Sequence, residues 1–274
     1  MYTNSLAKDH FFYYVNGKKV IRSFQGQILS DPKNEILLLS DHNILEHHKN
    51  NNRGYFVSRF LDNTQFINLR KSVYDYIGKV FEINLSSDNV DDMFQKMEDT
   101  FFYKRVRKLY NTGIGFDELP FKVTDLEHWV SNNLGKNLQL QHINHVPALL
   151  IRIIRPAAND FNPPHRDVYI SHLRNAINSF MPIYGVNNDS SLSLIEESHF
   201  WNENSIIRTL LNPIIDKKKF SVPAILSKAS KEPLNLIRPI VDYGEIMIFS
   251  PYLIHGGAIN LSKHTRISLE FRFL

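Results

Sequence analysis

Five residues in the second half of the chain have the types and spacing to hold one metal ion and one anion. The segment Asn162-Pro163-Pro164-His165-Arg166-Asp167-Val168-Tyr169 sets an imidazole and a carboxylate two positions apart. Side chains on a strand alternate faces, so His165 and Asp167 point the same way and suit adjacent positions on one cation. Alone the pair is weak, because His and Asp so placed more often form a hydrogen bond or ion pair. A further nitrogen donor stands at His255, just after a strand and loop, and Arg266 follows eleven positions on. Ser268 lies two beyond Arg266, hence on the same face of the last strand, while Ile267, Leu269, Phe271 and Phe273 form the opposite, apolar face. Arg266 is thus a guanidinium on an inward polar face. It either pairs with Glu270 or holds a ligand carboxylate bidentately, helped by the Ser268 hydroxyl.

Composition narrows the chemistry further. The 274 residues include no cysteine, which excludes disulfides, cysteine zinc sites, iron–sulfur clusters and thiol nucleophiles. Any metal must take nitrogen and oxygen ligands, from twelve histidines and 28 carboxylates. A net charge of +4 comes without a dense basic cluster, so the short runs Lys104–Arg105, Arg107–Lys108 and Lys217–Lys219 read as solvated faces, not a nucleic-acid patch. No stretch has the apolar length of a signal peptide or a membrane span. The expectation is a soluble, cytoplasmic protein acting on a small molecule, with no nucleic-acid or membrane partner.

Two histidines and one carboxylate with open metal positions make the facial triad of non-haem iron(II) oxygenases. With that triad in place, the sequence resembles the Fe(II)- and 2-oxoglutarate-dependent oxygenases, specifically the phytanoyl-CoA dioxygenase-like branch. His165-x-Asp167, distal His255, and Arg266-x-Ser268 match its H-x-D…H…R-x-S pattern, including the eleven-residue step to Arg and the 88 positions from Asp167 to His255. Gly54-Tyr55-Phe56-Val57, then Phe60-Leu61-Asp62, look like its first strand and helix start. Ser191-Leu192-Ser193-Leu194 running to Ser198-His199 looks like its strand ending in P-G-S-H, with Glu196–Glu197 replacing Pro-Gly. Gly244-Glu245 before Ile246–Phe249 resembles its G-D-hydrophobic strand. The resemblance covers about 54–274.

The resemblance implies Fe(II) on His165, Asp167 and His255. It also implies 2-oxoglutarate with its distal carboxylate on Arg266 and Ser268, and O2 as oxidant, with ascorbate as a candidate reductant. The carboxylate at Asp167 implies hydroxylation of an unactivated C–H bond, since halogenating relatives carry a small residue there. Arg152 shares a strand face with Leu150 and Ile154, and in the family that face lies near the co-substrate. It is either a second anion contact there or an outward side chain, if the register slips by one. Tyr169, on the face of Asp167, is either a substrate-pocket wall or ordinary packing. His47–His48, His142 with His145, His172 and His264 lack partners in register, and His199 falls at a structural position of the family. Two other classes stay open: a cupin-like metal-dependent hydrolase or isomerase, and a non-catalytic binding barrel.

The elements that must position these residues are legible in part. Residues 10–23 read as a hairpin about Asn16–Gly17. Residues 54–61 read as a strand ending at Asp62, which caps a helix over 63–81 with apolar positions at threes and fours. A second helical pattern covers about 88–110, and a third begins at Thr124 with Glu127 in a capping box. Strands follow at 146–156, 178–186, 191–198, 244–249 and 265–274. The stretch 201–239 reads as a polar, basic lid suited to a phosphorylated or carboxylated molecule, or as a solvated loop. One α+β, mainly β domain is expected over 1–274: a double-stranded β-helix (jelly-roll, cupin-like) barrel with helices on its outside. Within it, 1–53 is an N-terminal extension with the hairpin, 54–145 is mainly helical, and 146–274 is the jelly-roll core.

Overall fold

The computed structural model describes residues 7–29, 51–143 and 146–274; His47, His48 and His145 lie outside them. Asn16 and Gly17 turn the chain with φ of 48° and 75°, the left-handed pair that a two-residue hairpin of the expected kind requires. They join β1 (Ala7–Val15) to β2 (Lys18–Gly26), a longer hairpin than the sequence suggested; β3 (Ile28–Leu29) follows. After β4 (Tyr55–Arg59), Asp62 caps α1 (Asn63–Phe81) by accepting from the Gln65 amide, while the Gln65 side chain accepts from the Asp62 amide. The six apolar positions read from periodicity, Phe66 to Phe81, are all buried.

The second helical pattern is two helices. α2 (Val90–Gln95) ends before Glu98, whose carboxylate caps α3 (Asp99–Thr112) through the Thr100 and Phe101 amides. β5 (Ile114–Gly115) follows, then α4 (Val123–Leu134) starts one residue early, with Lys122 at its cap and Asp125 accepting from the Lys122 amide. Glu127 is therefore not a capping partner; it accepts instead from the Leu140 amide.

The remaining elements are β6 (His142–Ile143), β7 (Val146–Ile154) and β8 (Ile177–Tyr184), then β9 (Ile206–Thr209), β10 (Ile214–Ile215) and β11 (Lys218–Lys219). β12 (Ile225–Lys228), β13 (Leu234–Leu236), β14 (Glu245–Phe249) and β15 (Arg266–Phe273) complete the chain. A large antiparallel sheet runs β4-β14-β8-β15-β7-β5, with β6 also on β7. Its outer face, carrying Ile267, Leu269, Phe271 and Phe273, shares one core with the apolar faces of α1, α3 and α4. Facing its other side are a five-stranded sheet, β11-β10-β2-β1-β13, and a three-stranded sheet, β12-β9-β3. Their core gathers Phe11, Tyr13, Phe24, Ile225 and Leu234 with Ile254 and Ala258, which flank His255.

The mixed sheets with few helices fit a jelly roll; among the described residues no sheet closes on itself, so the expected closed barrel is not seen. Two other expectations change. Residues 191–198 form no strand; only Leu194 bridges, to Ile237 and His255. Residues 201–239 are not a loop but supply five short strands, and two of these pair with the N-terminal hairpin. The hairpin is accordingly part of the sandwich and not an appendage. Among the described residues no helix is long and apolar enough to cross a membrane.

Candidate metal centre

His165 and His255 face each other across a single antiparallel bridge, each amide donating to the other's carbonyl at 3.0 Å. Each ring turns its Nδ1 onto the carbonyl two residues back: Pro163 at 2.8 Å for His165, Leu253 at 2.9 Å for His255. A carbonyl only accepts, so Nδ1 carries the proton in both rings and Nε2 presents a lone pair. Both Nε2 atoms look onto Asp167 Oδ1, at 3.3 Å from His165 and 3.7 Å from His255. The three ligand atoms lie within 4.8 Å of one another and all three residues are buried.

The local backbone differs from the strand expected at 165–167. His165 sits in an isolated bridge and Asp167 opens a 3-10 turn, Asp167–Tyr169. Arg166 fixes the segment by pointing the opposite way. Fully buried, it donates to Glu203 at 2.9 Å and to the Ser198 and Trp201 carbonyls. Glycines let the facing strand approach: Gly256 and Gly257 have φ of 85° and 80°, and a Cβ on Gly257 would meet the Pro164 ring at 2.5 Å.

A partner that sequence reading missed completes the centre. Arg272 donates from Nη2 to Asp167 Oδ2 at 3.0 Å and from Nε to Asn178 Oδ1 at 3.0 Å. Burial raises the Asp167 carboxyl, but Arg272 and the two imidazoles outweigh it and hold the group well below the usual carboxylate range. Burial, reinforced by His165, lowers His255 to about 4, so its imidazole is neutral and able to ligate at neutral pH. The signal for Arg272 was available: it continues the alternation of Arg266, Ser268 and Glu270 along one face of β15.

The same cavity is lined by Arg266, Arg152 and Glu270. Arg266 does not pair with Glu270. It donates only to the Ser190 carbonyl, at 3.0 Å, and its Nε has no partner. Burial pulls this guanidinium down to about 9. The Ser268 hydroxyl, wholly buried on the same strand face, also lacks a partner. A buried cation beside an unsatisfied hydroxyl is costly unless an anion completes it. Glu270 is taken by Arg152, which lines the cavity, at 2.9 Å from Nη2. The donor set therefore fits a divalent cation and a carboxylate: two imidazole nitrogens, one carboxylate oxygen, and an Arg266 Nε and Ser268 hydroxyl without acceptors or donors among the described residues.

Tyr169 is not among the residues that line this cavity. Its hydroxyl donates to Glu203 at 2.8 Å and Arg208 lies over its ring. Glu203 thereby ties together Arg166, Arg208 and Tyr169 as a platform under the metal-binding segment. His199, also outside the cavity, is buried against Phe200 with neither ring nitrogen partnered, and burial together with Arg166 lowers it to about 4. Just before it Glu197 adopts φ of 62°, the left-handed geometry that a glycine would take more readily.

No family model matches the chain, and no curated protein matches it. Among solved structures it is similar to AviO1 from Streptomyces viridochromogenes Tue57, at 14% identity and a TM-score of 0.48 over 81% of this chain and 90% of that one. It is similar to EctD from S. alaskensis with bound Fe, at 12% identity and a TM-score of 0.47 over 90% and 80%. It is also similar to the epimerase SnoN in complex with Fe3+, alpha ketoglutarate and nogalamycin RO, at 12% identity and a TM-score of 0.45 over 81% and 79%.

Proposed function

We propose that this chain is a non-haem Fe(II)- and 2-oxoglutarate-dependent dioxygenase that hydroxylates an unactivated C–H bond of a small molecule. One observation carries the reading: a single cavity holds both a bare His–Asp–His ligand face and a buried guanidinium with no carboxylate of its own. His165, Asp167 and His255 would hold Fe(II), leaving positions open on the metal. Arg266 and Ser268 would take the distal carboxylate of 2-oxoglutarate, which supplies both missing partners at once. When bound, this group would supply oxidative decarboxylation of the keto acid to succinate and CO2, with one atom of O2 going to the substrate.

The protein's own part is orientation and exclusion of water. The Nδ1–carbonyl bonds fix the tautomer of each imidazole, Arg272 fixes the carboxylate, and the facing sheets enclose the site. A carboxylate at position 167 fills a metal position that a halogenating enzyme would leave to chloride, so hydroxylation is the outcome proposed. Because residues of α3, of the large sheet and of the 221–222 segment all line this cavity, the chain is read as one catalytic domain.

Anaerobic titration with Fe(II), with and without 2-oxoglutarate, tests the reading. The wild type should develop a weak metal-to-ligand charge-transfer band only when both are present, and Arg266→Ala should need far more 2-oxoglutarate to reach it. Absence of the band in the wild type, or an unchanged titration in Arg266→Ala, would overturn the proposal.

A further inference from the structure

One end of the cavity holds polar groups that neither the metal ligands nor Arg266 use. Arg152 pairs across the sheet with Ser268, and Glu270 and Arg272 follow on the same face of β15, with Asn178 opposite Arg272 on β8. All four side chains line the cavity. Arg272 Nε can only donate, so the Asn178 oxygen must face it, at 3.0 Å. That turns the Asn178 Nδ2 away from Arg272, and it has no acceptor although Asn178 is only 2% exposed. Native proteins seldom leave a buried amide donor unsatisfied, because its desolvation goes uncompensated.

Two guanidiniums offer donors at the same end. Arg152 commits Nε and Nη2 to Glu270, and Arg272 commits Nε to Asn178 and Nη2 to Asp167; neither Nη1 has an acceptor among the described residues. Tyr110, Leu173 and Arg272 belong both to the cavity and to an outer groove that includes His142 and His172, so this end is the side on which the cavity meets the surface.

We propose that this end of the cavity is a substrate subsite for an oxyanion, a carboxylate or phosphate borne by the substrate. Asn178 Nδ2 and the free Nη1 groups of Arg152 and Arg272 bind it, apart from the Arg266 anchor. Its role in substrate recognition rests on the oxygenase reading; its capacity to bind an oxyanion does not. The geometry also fixes orientation: with the charged group at the Arg272 side, the carbon to be oxidised extends inward past Asp167 toward the metal position.

The test is calorimetric titration of the full-length protein, loaded with Co(II) and saturating 2-oxoglutarate, with acetate and with methyl phosphate. One of the two should bind the wild type with one-to-one stoichiometry. Asn178→Asp keeps the acceptor for Arg272 but replaces the free donor with a negative oxygen, and should weaken oxyanion binding at least tenfold. Arg152→Gln should weaken it in the same direction; Asn178→Asp should keep wild-type affinity for 2-oxoglutarate, and both variants a cooperative thermal transition. Failure of both probes to bind the wild type, binding that Asn178→Asp and Arg152→Gln leave intact, or loss of 2-oxoglutarate affinity in Asn178→Asp would overturn the subsite. If 2-oxoglutarate itself fails to bind the loaded wild type, the oxygenase reading falls. The same titrations on metal-free protein, with Arg266→Ala as the background, then decide the subsite: oxyanion binding lost in Asn178→Asp upholds it, and binding absent or unchanged overturns it.

Discussion

Arg272 holds Asp167 by the oxygen turned away from the histidines: Nη2 meets Oδ2 at 3.0 Å, while Oδ1 faces both Nε2 atoms. One carboxylate is thereby divided between a permanent cationic partner and a metal position. The arrangement favours monodentate ligation and fixes the plane of the carboxyl group before any ion arrives.

Arg272→Gln pits two effects against each other. Losing a cation beside the site favours a divalent ion, whereas losing the orienting bond frees the carboxylate to rotate and leaves it buried without its guanidinium. Outer-shell partners of this kind are typically worth about 10- to 100-fold in metal affinity, so orientation should win. Calorimetric Co(II) titration should show weaker binding by roughly tenfold, partly restored in Arg272→Lys.

Gly257→Ala should damage the centre from the backbone. At φ of 80°, with the Pro164 ring 2.5 Å from the added carbon, the substitution combines strain with a clash beside His165. A loss on the order of 2–4 kcal/mol in urea unfolding is expected, together with weaker Co(II) binding. Ala at Gly115, where nothing lies within 4 Å, is the control and should change neither by more than about 0.5 kcal/mol.

The hairpin is tested by Tyr13→Phe. The buried Tyr13 hydroxyl donates to the Gly257 carbonyl, two residues past His255. Removing it strands that carbonyl, at a cost of about 1–2 kcal/mol in unfolding free energy. Amide exchange at Gly256 and Gly257 should quicken more than exchange in α1. Uniform change across the protein would mean that the hairpin does not brace the metal loop.

His199 should make stability fall with acid. Burial lowers its folded pKa to about 4, whereas the unfolded side chain titrates near 6.5. Above pH 6.5 neither state is protonated; as pH drops toward 4 the unfolded state gains a proton that the folded state refuses, so stability declines across that window. Urea unfolding at pH 7 and pH 5 should differ by an amount that shrinks by on the order of 1 kcal/mol in His199→Leu. An identical pH dependence in the variant would sink the assignment.

What the sequence disclosed is what local patterns encode. The helix over 63–81 was readable because Asp62 and six apolar positions state both its start and its buried face. His165, Asp167, His255, Arg266 and Ser268 were singled out by the family pattern they resemble, not by spacing alone, and the fold gathers the first three into one cluster. The strands of 201–239 were not, since two- to four-residue segments such as Ile214–Ile215 gain their structure from distant partners, here β2. Residues 191–198 alternate like a strand, yet the amides of Leu194 and Ile195 go to the Ile237 and Ile254 carbonyls as isolated bonds, not as a ladder. Strand parity put His165 and Asp167 side by side for a reason the structure does not use; the 3-10 turn brings them together instead. The same parity, carried four residues past Ser268, would have found Arg272.

The first strand lies parallel to β13, and Tyr13 reaches a carbonyl 244 positions away. Such pairings give the protein a high contact order, and loops of that length must close before their contacts return any stability. The hairpin can form early from its own turn, but Phe11, Tyr13 and Phe24, buried in the folded protein, stay uncovered until β13 and its neighbours are in place. The His165–Asp167–His255 cluster is completed late as well, because Asp167 meets Arg272 only when the last strand arrives. Slow refolding is therefore the kinetic counterpart expected of a fold whose first strands pair with its second half.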